Sequence, residues 1–413
     1  MQNVFPEKGM AENEIQQKFS ILLTSLRLHG DRAFRIYSTV PHPASLRAIY
    51  ALSKFNRNNI GTHTRVAPEN LKPLASMERE VILMLGNLMG AQNSDIDGYI
   101  TQGGTEGNIT GLWIGRNMLR GDGIPLDRIC LLKTSLTHYS IDKAADILNI
   151  SKVIDIPLNS KFGMDGGGLK KKIETLSKEG FRGFIIALTL GYNITGTIDP
   201  VDEIDTVVKN AEIEFGIKTH VHLDAAIGGL VYPFVSEKPF DFRYPSIQSI
   251  SLDMHKTGFV PHTAGIFLCK KDLQNWIERP APYLPYKKDD TLSGSRPGTA
   301  AAACWSVITA LGKEGFRKLI TYELELKEYF IELLQKHYMK FKAFVITDKD
   351  INIVAIHFAG FENNRLPAEV EKKYGLTPTF IKDHTGAEKI FYTIVFMPHL
   401  TKNVLEEFVE CLT

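Results

Sequence analysis

The residues with chemical potential in this chain gather in three short stretches. Ser249-Ile-Ser-Leu-Asp-Met-His-Lys-Thr257 ends a strand-like apolar run with Lys256 in a loop bordered by glycine and proline. Thr219-His-Val-His-Leu-Asp-Ala-Ala226 carries Asp224 to the end of another such run, and Gly103-Gly-Thr-Glu-Gly-Asn108 opens a helical segment. A lone loop lysine is ordinarily a solvated surface charge, so its position decides nothing by itself. Taken together, the three match the needs of pyridoxal phosphate. A glycine-rich helix start receives a phosphate through its free amides. A lysine attacks the carbonyl carbon and forms a Schiff base. An aspartate keeps the ring nitrogen protonated so that the ring accepts electrons.

The elements that must hold these residues follow from the pattern along the chain. Helical spacing appears over 11–29, near 44–55 and over 76–88, and a short strand over 98–101 leads into the glycine turn. Strand-like runs at 128–132, 152–156, 183–190, 220–223, 249–252 and 265–269 then alternate with helical stretches at 139–148, 169–177 and 201–215. Such alternation predicts an α/β fold with a largely parallel sheet. Residues 37–73, with Pro41, Pro43, Gly61, Pro68 and Pro73, read as a long irregular connection. Residues 279–290 set Tyr283 and Tyr286 among Pro280, Pro282 and Pro285, as in a flap or a crossing between subunits. Helices over 300–311 and 316–337, strands over 351–358 and 389–396, and a helix over 401–412 capped by Thr401 complete a small α+β unit. The expected division is an N-terminal helical segment at 1–60, a large cofactor-binding domain at 61–312 and a small C-terminal domain at 313–413.

Totals set the outer limits. At 413 residues, more than one domain is the default. With 44% hydrophobic and 23% charged residues and a net charge of +1, the balance calls for neither nucleic acid nor membrane. No run reaches the ~18 apolar residues of a membrane-crossing helix, and Met1-Gln-Asn-Val-Phe-Pro-Glu-Lys8 lacks the layout of a signal peptide. A cytoplasmic location is the expectation. Cys130, Cys269, Cys304 and Cys411 are too scattered for a disulfide framework or a zinc knuckle. His220, His222 and Asp224 share one strand face, but metal is the weaker reading there and none is expected. Gly163-Met-Asp-Gly-Gly-Gly168 lacks the context of a dinucleotide fingerprint or a P-loop.

Seven motifs then resemble, in order, those of the pyridoxal-phosphate-dependent group II amino acid decarboxylases. They are Gly98-Tyr-Ile-Thr-Gln-Gly-Gly-Thr-Glu-Gly-Asn108, Thr137-His-Tyr-Ser-Ile-Asp-Lys-Ala144, Gly196-Thr-Ile-Asp-Pro200, His222-Leu-Asp-Ala-Ala-Ile-Gly-Gly229, Asp253-Met-His-Lys256, Ser293-Gly-Ser-Arg-Pro-Gly298 and Met397-Pro-His-Leu-Thr401. The resemblance runs from about residue 44 to the C-terminus and is nearest to compact histidine and serine decarboxylases and archaeal tyrosine/aspartate decarboxylases. It implies the fold type I architecture, a mixed, mostly parallel sheet in a large domain with a small α+β domain. It also implies the loss of carbon dioxide from an L-amino acid to give its amine, in a homodimer with shared active sites. By the same resemblance Lys256 carries the cofactor, Gly104, Thr105 and His255 meet its phosphate, Asp224 meets the ring nitrogen and Ala226 packs on the ring. His138 stacks on that ring and reaches substrate, Ser295 arrives from the other subunit, and Tyr286, with Tyr283 behind it, returns the proton.

Two rivals share parts of this pattern. A carbon–carbon lyase similar to sphingosine-phosphate lyase carries the Gly-Ser-Arg-Pro-Gly segment, and a non-catalytic scaffold could keep the fold, although intact Lys256, Asp224 and His138 argue against that. In one place the chain departs from the family. Where most members have two threonines after Leu190-Gly191, it has Tyr192-Asn193. Asn193 can still donate to the cofactor through its amide, so the departure bears on substrate choice more than on the cofactor.

Overall fold

Runs such as Gly-Phe-Ile-Ile-Ala-Leu-Thr offer apolar side chains to both faces, and a strand of that kind is stable only between two layers. The structure is a computed structural model that describes residues 10–30, 32–36, 39–62, 69–284, 286–382 and 386–413. In it, strands β1 (Ile96–Thr101), β2 (Ile129–Lys133), β3 (Lys152–Asp155), β4 (Gly183–Thr189), β5 (Lys218–Asp224), β6 (Ile247–Asp253) and β7 (Gly265–Lys270) form a seven-stranded sheet in the order β1-β7-β6-β5-β4-β2-β3. Every residue of β4 is buried. Phe184, Ile186 and Leu188 face one helical layer, made by α6 (Gly166–Lys178) and α7 (Val201–Phe215), while Ile185 and Ala187 face α4 (Gly104–Gly121) and α5 (Ser140–Ile147). Alternate residues thus feed opposite layers, as the pleat requires.

The sheet is mixed and mostly parallel. Only β7 is reversed, antiparallel to both β6 and β1. The connection 254–264 explains it, being shorter than the dozen or more residues that a parallel return needs. That tight connection carries His255 and Lys256. They therefore sit at the carboxyl end of β6, beside Asp224 at the end of β5, where ligands bind in open α/β sheets.

Helix α4 lies close over β5 and β6 because glycines face the sheet. A Cβ at Gly107 would lie 2.4 Å from Ser251 Oγ, one at Gly111 2.2 Å from His222 Nδ1 and one at Gly115 2.7 Å from the His220 ring. Gly111→Ala is therefore expected to lower stability by about 1–3 kcal/mol through overpacking, overriding the gain of about 1 kcal/mol that alanine brings to a helix interior. Urea midpoints measure it, with Gly167→Ala as the comparison, since the nearest atom to a Cβ there is Asp165 Oδ1 at an ordinary 3.6 Å. Equal midpoints for the two variants would contradict the close-packing account.

Ahead of the sheet lie α1 (Glu12–Gly30), α2 (Pro43–Leu52) and α3 (Lys72–Leu88). Within the expected irregular connection, Asn58–Asn59 pairs with Arg296–Pro297; Tyr37 and Pro68 lie outside the described residues. In the second loop, Arg279–Pro280 pairs with Lys288–Asp289, and Pro285 is likewise outside them.

The two helices expected over 300–311 and 316–337 run one after the other along α8 (Gly298–Lys336) and meet at Gly312, whose φ 56° and ψ −176° are not helical. Val307 before that residue and Phe316 and Ile320 after it join the core under the large sheet, while Leu326, Phe330 and Leu334 farther along join another core. That second core lies on a four-stranded antiparallel sheet in the order β8 (Ala343–Ile346), β9 (Ile353–Phe358), β11 (Glu388–Val395), β10 (Pro378–Lys382). Helix α9 (Ala368–Tyr374) precedes β10 in the chain, and α10 (Lys402–Leu412) follows β11, with Thr401 accepting from the Val404 N–H at 3.4 Å as its N-cap. Phe34 is buried in the same core, stacked on Tyr374 at 5.1 Å.

Candidate active site

Where β4, β5 and β6 end and α4 begins, the chain encloses a cavity of about 550 Å³. Gly104, Thr105, His138, Asn193, Asp224, Ala226, His255 and Lys256 all line it. Tyr286 and Ser295 do not. The Tyr286 hydroxyl donates to the Ile60 carbonyl at 2.7 Å, and Ser295 Oγ accepts from Asn58 Nδ2 at 3.1 Å. Ser293 and Leu292 reach the cavity instead. Tyr283 is 87% exposed.

At the head of α4, Gly103 has φ 151° and ψ 177°, a conformation open almost only to glycine. Gly104 leaves no room for a side chain, since a Cβ would stand 3.0 Å from Asp253 Oδ2 and 3.3 Å from Ala226 Cβ. The first-turn amides of a helix have no acceptor within it, so this turn brings donors to the cavity edge. A buried ion pair braces it from behind. Arg296 Nη2 lies 2.8 Å from Glu78 Oε1, which also accepts from the Ile100 N–H at 2.8 Å. Glu106 Oε2 accepts from the Gln102 N–H at 2.8 Å and fixes the turn from the helix side.

Lys256 Nζ stands 2.8 Å from Asp253 Oδ2, and its side chain is 24% exposed. Burial pulls its pKa down, but the carboxylates of Asp253 and Asp224 outweigh that, and the result lies above the ordinary lysine value. The amine is therefore an ammonium ion with its proton acceptor at hand. Asp253 Oδ1 is buried with no hydrogen-bond partner among the described residues. His255 stacks near His262 at 4.1 Å, with Nδ1 3.0 Å from the Ala264 carbonyl; burial pushes its pKa below the usual histidine value.

Asp224 Oδ1 accepts from the Ala226 N–H at 3.1 Å, and Oδ2 accepts from Asn108 Nδ2 at 2.8 Å. His138 Nδ1 is 2.8 Å from Ser140 Oγ, and burial, the largest influence, lowers the His138 pKa. Neighbouring Tyr192 borders the cavity, but its hydroxyl donates into the buried Asp199 carboxyl, 2.9 Å from both oxygens, and meets Thr134 Oγ1 at 2.8 Å. Burial raises the Asp199 carboxyl to about 6. The departure at Tyr192 thus serves a buried cluster and leaves Asn193 as the polar group beside the cavity.

Asn108, Ser140 and Asp253 belong to this site but are not singled out by sequence reasoning. A signal for two of them exists: Asn108 is one helical turn beyond Gly104, and Asp253 is three residues before Lys256. No group of three or more His, Cys, Asp or Glu residues able to hold a metal occurs among the described residues. His220 and His222 are buried, held by Ser249 Oγ at 3.1 and 2.8 Å, and burial lowers both to about 3.

Pyridoxal phosphate joins an anion, an aldehyde and a heterocyclic base, and the donor set suits all three. Helix-start amides suit the phosphate, Lys256 suits the aldehyde and the Asp224 carboxylate suits the ring nitrogen. Residues 5–359 match the family model of the pyridoxal-dependent decarboxylase conserved domain. The chain is 31% identical to a probable L-tyrosine/L-aspartate decarboxylase of Methanothrix thermoacetophila, covering 99% of this chain and 96% of the relative. A tryptophan decarboxylase of Clostridium sporogenes is 30% identical, over 90% of this chain and 85% of its own. In fold it is similar to L-methionine decarboxylase of Streptomyces sp. 590, with a TM-score of 0.83 and 17% identity over 99% of this chain and 96% of that one. Matched across most of its length by the family's own domain, the chain belongs to the pyridoxal-dependent decarboxylases and is a pyridoxal-phosphate-dependent amino acid carboxy-lyase.

Proposed function

We propose that this protein converts an L-amino acid to its amine and carbon dioxide on Lys256, as a cytoplasmic homodimer. The observation that carries the reading is that one cavity holds Lys256, Asp224, His138 and the free amides of α4 together. Pyridoxal phosphate, when bound, supplies the electron sink for the pair released as the carboxyl group leaves. Lys256, an ammonium ion 2.8 Å from Asp253, would be the residue that holds the cofactor through its amine. Asp224 would hold a proton at the ring nitrogen, His255, Gly104 and Thr105 would secure the phosphate, and Ala226 and His138 would pack against the ring. Asn193 offers an amide donor to the ring's edge. Ile109, Ile227 and Leu292 give the cavity apolar wall, and poor solvation of a carboxylate there favours its departure as a neutral gas.

The proton returned to the α-carbon is assigned to Tyr286. Since Tyr286 and Ser295 stand outside the cavity of their own chain, the reading gives both to the partner's site. Exposed Phe19, Leu22 and Leu26 on α1, with Tyr50, Phe55 and Tyr283, supply apolar surface for such a dimer. A catalytically competent monomer in sedimentation would remove it. A cytoplasmic location agrees with three buried free thiols, Cys130, Cys269 and Cys304. Run in deuterium oxide, the reaction is expected to place one deuterium on the α-carbon of the amine, read by mass spectrometry. An aldehyde product in place of the amine would instead favour carbon–carbon cleavage.

A further inference from the structure

Beneath the cavity runs a chain of buried hydrogen bonds that none of the assigned roles uses, and the chemistry of its atoms fixes its direction. A carboxylate only accepts. The side of the Asn108 amide 2.8 Å from Asp224 Oδ2 is therefore its Nδ2, whose other hydrogen goes to Ser140 Oγ, also at 2.8 Å. Asn108 Oδ1 must then face His222 Nε2, 2.9 Å away, so that nitrogen carries the histidine proton; Ser251 Oγ lies 3.3 Å from the same nitrogen. His222 Nδ1 in turn accepts from Ser249 Oγ at 2.8 Å. Ser249, its single proton committed, accepts from His220 Nε2 at 3.1 Å. Every donor points toward Asp224, and bonds aligned in this way polarise one another.

A branch leaves at Ser140. Having accepted from Asn108, its hydroxyl can give its proton to His138 Nδ1 at 2.8 Å, and the Ser140 backbone N–H points to the same nitrogen at 3.3 Å. A backbone N–H only donates. His138 Nδ1 is therefore an acceptor and the ring's proton sits on Nε2.

We propose that Asn108 is the positioning residue of this site: one amide hydrogen fixes the Asp224 carboxylate and the other turns the Ser140 hydroxyl toward His138 Nδ1, where it supports the tautomer that the Ser140 backbone N–H selects. The significance for catalysis rests on the function proposed above, whereas the tautomer is a property of the protein without cofactor. Gly111 is part of the device, because only a residue without a side chain lets α4 lie over His222. His222 keeps the amide from turning over, a reversal that would aim Asn108 Oδ1 at the carboxylate.

The test compares wild type with Asn108→Asp and Ser140→Ala, using labelled histidine and nitrogen NMR on the cofactor-free protein and a pyridoxal phosphate titration read by absorbance. Asn108→Asp keeps the shape but removes both donors and draws the Ser140 hydroxyl proton to itself. It is expected to move His138 toward the Nδ1-protonated tautomer and to weaken cofactor binding roughly 10- to 100-fold, the range for residues that orient a ligand's direct partners. Ser140→Ala removes the hydroxyl but keeps the backbone N–H on Nδ1 and is expected to leave the His138 proton on Nε2, a split from Asn108→Asp that general loosening of the fold would not give. His222→Gln, which retains an N–H donor, is expected to bind more tightly than His222→Leu. The proposal is overturned if wild-type His138 carries its proton on Nδ1, or if Asn108→Asp matches wild type in both readouts. Should wild type bind no pyridoxal phosphate, the proposed function fails, and the NMR comparison still decides the tautomer.

Discussion

Lys256→Ala is expected to abolish turnover, a loss on the order of 10⁶, the scale reached when the residue that forms the covalent bond is deleted. Borohydride reduction followed by mass spectrometry should fix cofactor mass to the peptide containing residue 256 in wild type and none in the variant. Turnover surviving the substitution would remove Lys256 from its role. The same pair has a stability signature in the cofactor-free protein. Asp253, 2% exposed, sits 2.8 Å from Nζ and raises the lysine's pKa. A raised lysine pKa contributes stability that is complete below the unfolded value of 10.5 and fades as the pH climbs through the higher folded value. Urea midpoints of wild type should therefore fall more steeply above that pH than those of Lys256→Ala.

The second large effect lies behind the glycine turn. Arg296 and Glu78 are 3% and 4% exposed and 2.8 Å apart. Arg296→Leu would leave the buried Glu78 carboxyl with the Ile100 N–H and Asn59 Nδ2 as its partners among the described residues. Breaking such a pair from one side costs about 3–5 kcal/mol, whereas replacing both partners by apolar residues is often close to neutral. The expected result is a large drop in the urea midpoint for Arg296→Leu, largely recovered by adding Glu78→Leu. A double variant as unstable as the single one would contradict it. Arg296 also donates to the Gly61 carbonyl at 2.7 Å and lies 4.9 Å over the Tyr99 ring. The Tyr99 hydroxyl meets Glu106, which holds the Gln102 amide of the turn. Weaker cofactor binding should therefore accompany the stability loss.

The strands of the large sheet are legible because burial on both faces writes an unbroken apolar run, and β4 and β7 read almost to the residue. Direction is not written there. The reversal of β7 follows from the length of the 254–264 connection, which periodicity does not encode. Strands β8 and β10 go unread since both are edge strands of the small sheet with exposed residues in alternation, and β10 opens on Pro378. Gly312 looks like a helix end in sequence and is one, its backbone being non-helical, whereas the handover from the first core to the second comes only between Ile320 and Leu326.

Within the site, Lys256 and Asp224 stand out because one lies just past a strand and the other ends one, and each carries an unusual charge for that place. Asn108 and Ser140 are ordinary polar residues whose part depends on where a side chain points, and no spacing rule reveals that a single amide reaches both a carboxylate and a hydroxyl. Asp253 is hidden differently: a carboxylate three residues before a lysine reads as a surface ion pair until burial is known. The positions of Tyr286 and Ser295 outside their own cavity depend on chain paths far apart in sequence, through Ile60 and Asn58.

The central claim is the loss of an amino acid's carboxyl group at Lys256. Its most direct test incubates the pyridoxal-phosphate-loaded protein with each L-amino acid labelled with ¹³C in the carboxyl group and follows labelled carbon dioxide. At least one amino acid is expected to release it in step with an equal amount of its amine, and Lys256→Ala should release none. Substrate consumed with the label retained in an organic product, or no labelled gas from any amino acid by a protein with its cofactor bound, would contradict the account.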